Sequence, residues 1–403
     1  MDLNYPELEN KRVIIGVTGS ISLYKTCTLL RIIKKAGAEV RVVMTQNAMR
    51  FISPQTFQTI SGNPVYTELF SSYFLEEPLH VRLAEWGEVI LVAPATANII
   101  GKIASGIADD LLSTLLMAFP GPIILSPAMN EVMWNNPTVE ENIEKISEKG
   151  VEIVSCEKGE LVSGKIGEGR MADVGRIIFR LRKVFSPQDL QGKKFLITAG
   201  PTREYLDDIR FLTNPSSGKM GYYLAEEVVL RGGEVLLISG PVSLPTPEDV
   251  RKIDIETTDD LRKNVERYFP TSDVLVMSAA VGDFKVKEKF QGKLKRKGKL
   301  HIELEATGDI LKGISRKKEG KVVVGFSAEV EQLRERSKKK LEDKKVDLMV
   351  GCLIKDRVSG FGVDTIEGWL IWKDGREEKF SLVDKRMFAK MIIEKVKNIG
   401  GWK

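Results

Sequence analysis

The feature that most limits what this chain can fold into is an alternation that runs twice. Short apolar, largely β-branched runs at residues 13–17, 39–44, 89–93, 122–126 and 151–154 are separated by longer amphipathic stretches, the first over 22–36. Apolar runs of this length, bounded by turns, suit strands buried on both faces. Their alternation with helices predicts a doubly wound α/β parallel sheet. A stretch at 185–192 with Pro, Gly and polar residues interrupts the pattern. It then restarts at 194–198, with a helix over 219–231 and further runs at 234–239, 274–278, 322–326, 347–350 and 369–372. For 403 residues this predicts two such domains, 1–186 and 187–403, alike in plan but without a convincing sequence repeat.

Composition removes several classes of function. No apolar stretch reaches the roughly 18–20 residues that span a bilayer, and the opening MDLNYPELENKR lacks the apolar core of a secretory signal. The three cysteines, Cys27, Cys156 and Cys352, are far apart with no CxxC, and the only histidines are His80 and His301. That excludes a disulfide framework, a local thiolate metal motif and a His-rich centre. A formal net charge of +5, with both signs spread along the chain, is too mild for a polyanion binder. The expectation is a cytoplasmic protein with reduced thiols and neither a nucleic-acid nor a membrane partner.

Ligands of open α/β sheets sit beyond the carboxyl ends of the strands, so the residues after each run carry the chemistry. After the first run comes GVTGSISLYK (16–25), with Gly19 and Ser20 at a helix start. Small residues there admit close backbone approach, and free N–H groups favour a phosphate. Alone, the motif reads equally well as an ordinary strand–helix turn, and it is not the GxGxxG of dinucleotide sites. The next tips carry Thr45 in MTQNA (44–48), Thr96 and Asn98 in PATAN (94–98), and Asn130 in PAMNEVMW (127–134). Such hydroxyl- and amide-bearing tips on one sheet edge predict a preformed polar pocket. Met129, Met133 and Trp134 are expected to fill core. His80, in LHVRLAEW (79–86), is the candidate for proton transfer, the imidazole being the side chain best suited to that task near neutral pH.

GSISLYK, the histidine in LHVRLAEW, PATAN, PAMNEVMW and SGKIGEGRM (163–171), in that order, resemble the homo-oligomeric flavin-containing cysteine decarboxylases across about residues 10–180. Phosphopantothenoylcysteine decarboxylases are the most similar branch. The resemblance implies a flavodoxin/Rossmann-like flavoprotein in which FMN oxidises the substrate's cysteine thiol to a thioaldehyde, carbon dioxide leaves, and the electrons return. Carried over by motif, Gly19, Ser20, Thr45, Thr96 and Asn98 hold FMN, His80 transfers the proton, and Asn130 grips the substrate carboxylate. Bacterial members typically have a cysteine before the clamp glycine, implicated in the final reductive half-reaction. Here Ser163 precedes Gly164, and a hydroxyl is a poorer proton donor than a thiol. Either another group substitutes or turnover is slow.

In the second half, PSSGKMG (215–221) places Ser216, Ser217, Gly218 and Lys219 at a helix start, an anion-binding arrangement that is not a Walker A. AAVGDF (279–284) and GFSAE (325–329) follow later strands. The basic run at 285–299 reads better as a flap over a triphosphate than as a nucleic-acid surface, because few aromatics interleave it. ITAGPTREYLDDIRFLTNPSSGKMG, AAVGDF, GKLKR and GFSAE in order resemble phosphopantothenate–cysteine ligases over about 192–375. The two families are joined in this order in bifunctional enzymes of coenzyme A biosynthesis. The resemblance implies a Rossmann-like ligase that uses CTP to form an acyl-cytidylate of 4′-phosphopantothenate. The amine of cysteine then displaces CMP, with Mg2+ or Mn2+ on the triphosphate; the metal's ligands are unknown. By motif, Asn214 contacts the acyl-cytidylate, Ala280, Asp283 and Phe326 face the nucleotide, Lys293 stabilises the reacting phosphate, and Lys344 and Asp347 lie near the base. Gly351–Cys352 and ATGDIL (306–311) depart from the bacterial pattern and bear on nucleotide selectivity. A flavin-dependent prenyltransferase-like enzyme, or another cysteine decarboxylase with a separate nucleotide-binding domain, is the alternative. The family also implies a homo-oligomer, with trimeric decarboxylase and dimeric ligase contacts that combine into a closed shell such as a dodecamer.

Overall fold

The computed structural model describes residues 5–70, 77–160, 166–296, 298–355 and 358–402, without the side chains of Glu160 and Ile166. The chain divides into two compact units, Met1–Ser186 and Pro187–Lys403.

The first unit holds a six-stranded sheet in which every neighbouring pair is parallel. Its order is Val65–Tyr66, Glu39–Met44, Arg12–Val17, Val89–Ala95, Ile123–Pro127, Glu152–Ile153. Side chains of a strand alternate between faces, and the core divides accordingly. Val13, Ile15 and Val17 pack with Leu29, Leu30, Ile33, Ile177 and Leu181 on one side. Ile14, Ile90 and Val92 pack with Leu83, Ile99, Leu112 and Leu115 on the other. Helices therefore cover both faces, and the central strand Val89–Ala95 is buried along its whole length. The chain winds outward from Arg12–Val17, then crosses back to Val89–Ala95 beside it. That reversal opens a crevice at the carboxyl ends of these two strands.

The second unit repeats the plan on a larger sheet. Strands Arg251–Asp254, Glu234–Ser239, Lys194–Ala199, Val274–Met277, Val322–Glu329 and Leu348–Leu353 run parallel. The sheet then continues as two antiparallel strands, Thr365–Trp372 and Glu377–Asp384. The winding reverses between Lys194–Ala199 and Val274–Met277. Helices Lys219–Leu230 and Lys385–Gly400 pack on each other, while Leu261, Val265, Ile310 and Leu341 close the opposite face. No described helix is long and apolar enough to cross a membrane.

Candidate active sites

Each unit has a cavity at its topological switch point. In the first it measures about 760 Å³, within the roughly 300–1,000 Å³ of small-molecule sites. Gly19, Ser20, Thr45, Thr96 and Asn98 all line it. The tips are tied to one another. Thr18 Oγ1 donates to the Pro94 carbonyl at 2.8 Å and accepts from the Thr96 N–H at 3.1 Å. Gly19 has a steric reason to be glycine: a Cβ there would stand 2.7 Å from Cβ of Asn47, so only glycine lets the first two tips meet. Thr45 accepts from the Ala48 N–H and opens the short helix Gln46–Met49.

The next wall is the loop 127–130. Met129 N–H donates to the Gly169 carbonyl at 3.0 Å, which fastens this loop to strand Ile166–Arg170 of the GEGRM motif. Gly169 has φ +129°, and a Cβ there would collide with the Met129 carbonyl. Asn130 caps helix Glu131–Trp134, its side-chain oxygen accepting from Val132 N–H at 2.8 Å. Cys156 donates its thiol to the Pro127 carbonyl at 3.3 Å, and burial pushes its pKa up to about 12. It sits behind the loop as a protonated thiol. His80 is the second residue of helix Leu79–Trp86; its Nδ1 is buried and has no hydrogen-bond partner among the described residues.

The second cavity measures about 520 Å³ and is lined by Asn214, Ser216, Ser217, Gly218, Lys219, Ala280, Asp283, Phe326 and Lys344. Asn214 Nδ2 donates to the carbonyls of Ala280 and Val281 at 3.2 and 3.0 Å, which joins the PSSGKMG loop to the AAVGDF tip. Lys219 pairs with Asp364, and Lys344 with Asp309 at 3.4 Å. Lys385 is 5% exposed and donates to the Gly360 and Val363 carbonyls. Its burial, the largest influence, lowers its pKa.

Comparison with known proteins assigns both halves. Residues 2–186 match the family described as Flavoprotein, and residues 190–399 match the DNA/pantothenate metabolism flavoprotein C-terminal domain. The coenzyme A biosynthesis bifunctional protein CoaBC of Bacillus subtilis (strain 168) is 40% identical over 394 residues, 96% of this chain and 97% of that protein. The chain belongs to the CoaBC family. The CoaBC protein of Escherichia coli (strain K12) is 35% identical over 395 residues, 96% of this chain and 97% of its own. A solved C-terminal domain of a CoaBC protein is 35% identical and covers 53% of this chain and 97% of that one, with a TM-score of 0.45. As a CoaBC protein the chain is a bifunctional enzyme of coenzyme A biosynthesis, phosphopantothenoylcysteine decarboxylase and phosphopantothenate–cysteine ligase.

Within this CoaBC chain not every residue expected at a site lines its cavity. Asp347 does not line the ligase cavity. It precedes strand Leu348–Leu353 and so lies at the amino end of that strand, away from the tips. It is 3% exposed and receives Lys318, Lys373 and the Val323 N–H. Burial opposes its ionisation, but those partners outweigh it and hold its pKa low: it is a structural ion pair. Lys293 is exposed and not among the cavity's lining residues. The basic run is docked by other contacts: Lys287–Glu303, Lys289–Asp208, and Leu294 N–H to Asp207. Neither His80 nor Asn130 is among the lining residues of the first cavity. Met129 and Met133 line that cavity, Met133 being 47% exposed, so Met133 is wall and not core. Ser163 lies outside the described residues.

The tip rule missed Lys102, Asp109 and Asp110 in the first cavity, and Lys340, Asp309 and Lys385 in the second. Two of these had a signal. Lys102 lies four residues after Asn98, and Lys340 four before Lys344, the spacing that puts side chains on one helix face.

Proposed function

We propose that the first unit decarboxylates 4′-phosphopantothenoylcysteine with FMN, and that the second makes that compound from 4′-phosphopantothenate, cysteine and CTP through an acyl-cytidylate. The observation that carries the division of labour is the contrast in charge between the cavities. The first is lined by hydroxyls and amides, with one lysine, Lys102, and three carboxylates, Glu68, Asp109 and Asp110, also in its wall. The second has four lysines, 219, 340, 344 and 385, against Asp283 and Asp309. A cationic cavity suits a nucleoside triphosphate and a phosphorylated acid; a hydroxyl-rich one suits a polar cofactor held by hydrogen bonds.

The donor set of the first cavity fits FMN: Ser20, Thr45, Thr96 and Asn98 offer the hydroxyl and amide groups that a ribityl chain and a ring edge require. Bound there, FMN would supply the two-electron oxidation of the cysteine thiol to a thioaldehyde, the electron sink that lets carbon dioxide depart. The chain's own part is orientation and proton control. Asn130, with its side-chain oxygen engaged, keeps its amide N–H groups to offer a carboxylate. His80 would relay the proton, and Ser163 would close the clamp over the substrate.

In the second unit Lys219 and Lys344 would steady the phosphates and the acyl-cytidylate, with Asn214 and Asp283 fixing the reacting end. Lys293 would reach the reacting phosphate from the flap. A divalent cation, Mg2+ or Mn2+, would share the triphosphate's charge. The setting is the cytoplasm, and the assembly a homo-oligomer with trimeric contacts in the first unit and dimeric contacts in the second.

The test is mass spectrometry of one reaction containing the protein, 4′-phosphopantothenate, cysteine, CTP and magnesium. Formation of 4′-phosphopantetheine is expected. Accumulation of phosphopantothenoylcysteine would leave the ligase intact and count against the decarboxylase reading. No new product with CTP would overturn the ligase assignment.

A further inference from the structure

The first cavity contains an ion cluster that no motif singled out. Lys102 lies on helix Ala97–Ser105, one turn after Asn98. Its ammonium is 2.5 Å from Asp109 and 2.6 Å from Asp110, and its side chain is 16% exposed. All three residues line the cavity. Asp110 also caps helix Leu111–Ala118 through Ser113 N–H at 2.8 Å. Burial works against the charge on Lys102, but the hydrogen bonds to the two carboxylates outweigh it and raise its pKa. The amine stays charged, and the cluster carries one positive and two negative charges.

This balance orients a flavin. A phosphate dianion would be repelled by Asp109 and Asp110, and Lys102 is already engaged by both. The turns holding Gly19, Ser20 and Thr45 line the same cavity with hydroxyls and no ionised side chain, so the phosphate belongs there. The uncharged ring end is left for the cluster. Electron uptake adds negative charge to the ring; Lys102 favours that charge, and the aspartates oppose it.

Building on the FMN reading above, we infer that Lys102, Asp109 and Asp110 face the ring end of the cofactor, and that their charge balance sets how readily the flavin accepts electrons. Lys102 is then a potential-setting residue. Asp109, 59% exposed on its side chain, exerts a weaker and opposite pull.

The experiment measures flavin affinity and reduction potential on the full chain. Wild-type protein is titrated first with FMN and riboflavin. Failure to bind either would sink the cofactor reading itself, before any variant is compared. Lys102→Met should disfavour the reduced flavin at least tenfold, a fall of about 30 mV for a two-electron couple. Asp109→Asn should move the potential the other way by a smaller amount. A role confined to holding the wall together would not give opposite signs. Lys102→Met should also change FMN and riboflavin affinities in equal proportion. Loss of FMN binding with riboflavin binding retained would mean that Lys102 holds the phosphate, and would overturn the proposal. Shifts of the same sign, or none, would overturn it as well. Should Lys102→Met fail to retain flavin at all, Asp109→Asn alone decides, because Asp109 caps no helix: an upward shift supports the proposal and an unchanged potential refutes it.

Discussion

The two units solve the same geometric problem with opposite electrostatics. Each places a cavity where the winding of a parallel sheet reverses, and each fastens its strand tips with side-chain hydrogen bonds, Thr18 to Pro94 and Thr96 in one, Asn214 to Ala280 and Val281 in the other. What differs is what the tips and the adjoining helices carry. One cavity sets a single ammonium against three carboxylates, and the other four ammoniums against two. The scaffold fixes where a ligand can sit, and the side chains on it decide which ligand it is. It follows that damage to one site should leave the other chemistry running.

The largest separation is expected from His80→Ala. Loss of a group that moves a proton in the transition state lowers rates by about 10²–10⁴-fold. Carbon dioxide release should fall by that order, while ligation and flavin content stay at wild-type levels. Parallel loss of ligation would show that the two halves are not independent. In the other unit, Lys344→Ala removes a cation from the cavity wall. A hydrogen bond to a charged group contributes about 1.5–3 kcal/mol, so the KM for the nucleotide should rise roughly tenfold or more. Decarboxylation of supplied phosphopantothenoylcysteine should not change. A nucleotide KM within twofold of wild type would remove Lys344 from the site.

The sequence was most legible where burial is complete. The central strands read as continuous apolar runs because helices cover both faces. Edge strands are half exposed and carry no such signal, which is why RKID at Arg251–Asp254 and EEKFSLVD at Glu377–Asp384 were not anticipated. The site followed a similar rule. Residues at strand tips were found by position, whereas Lys102 and Lys340 reach their cavities from within helices. Asp347 was misplaced for a related reason: it belongs to a contiguous motif with Lys344, but it sits at the amino end of the interior strand Leu348–Leu353, whose opposite end carries the cavity-lining Cys352. Contiguity in sequence implies one site only when the motif stays at one end of a strand.

Gly169 tests how far each unit's stability stands alone. An alanine there would adopt a backbone conformation that side chains disfavour and would press on the Met129 carbonyl. Strain of this kind costs about 1–3 kcal/mol. Gly169→Ala should lower the melting transition of the first unit and leave that of the second in place, as calorimetry of the full chain would show. A drop in both transitions would mean that the units unfold together.

The smallest effect is expected where each unit secures its chain end. The first uses Arg182 with Glu7, 3.0 Å apart, with side chains 3% and 6% exposed. The second uses Arg231, 3% exposed, between Asp189 and Glu394, with Lys397 joining Asp189 at 2.7 Å. The Arg231 hydrogen bond, opposed by burial and helped by Lys397, holds the Asp189 pKa to about 2. An unfolded aspartate titrates near 3.9. Because the folded value is the lower one, the unfolded chain takes up the proton first as pH falls. The contribution of Asp189 is therefore fully present above about pH 4 and is lost between there and about pH 2. Asp189→Asn should destabilise the second unit modestly at pH 7 and flatten its stability profile across that acid window. The first unit's acid transition should not move. If the variant kept the wild-type acid slope, the stabilising carboxylate would have to be another one, and Glu394, which shares Arg231, is the next to replace.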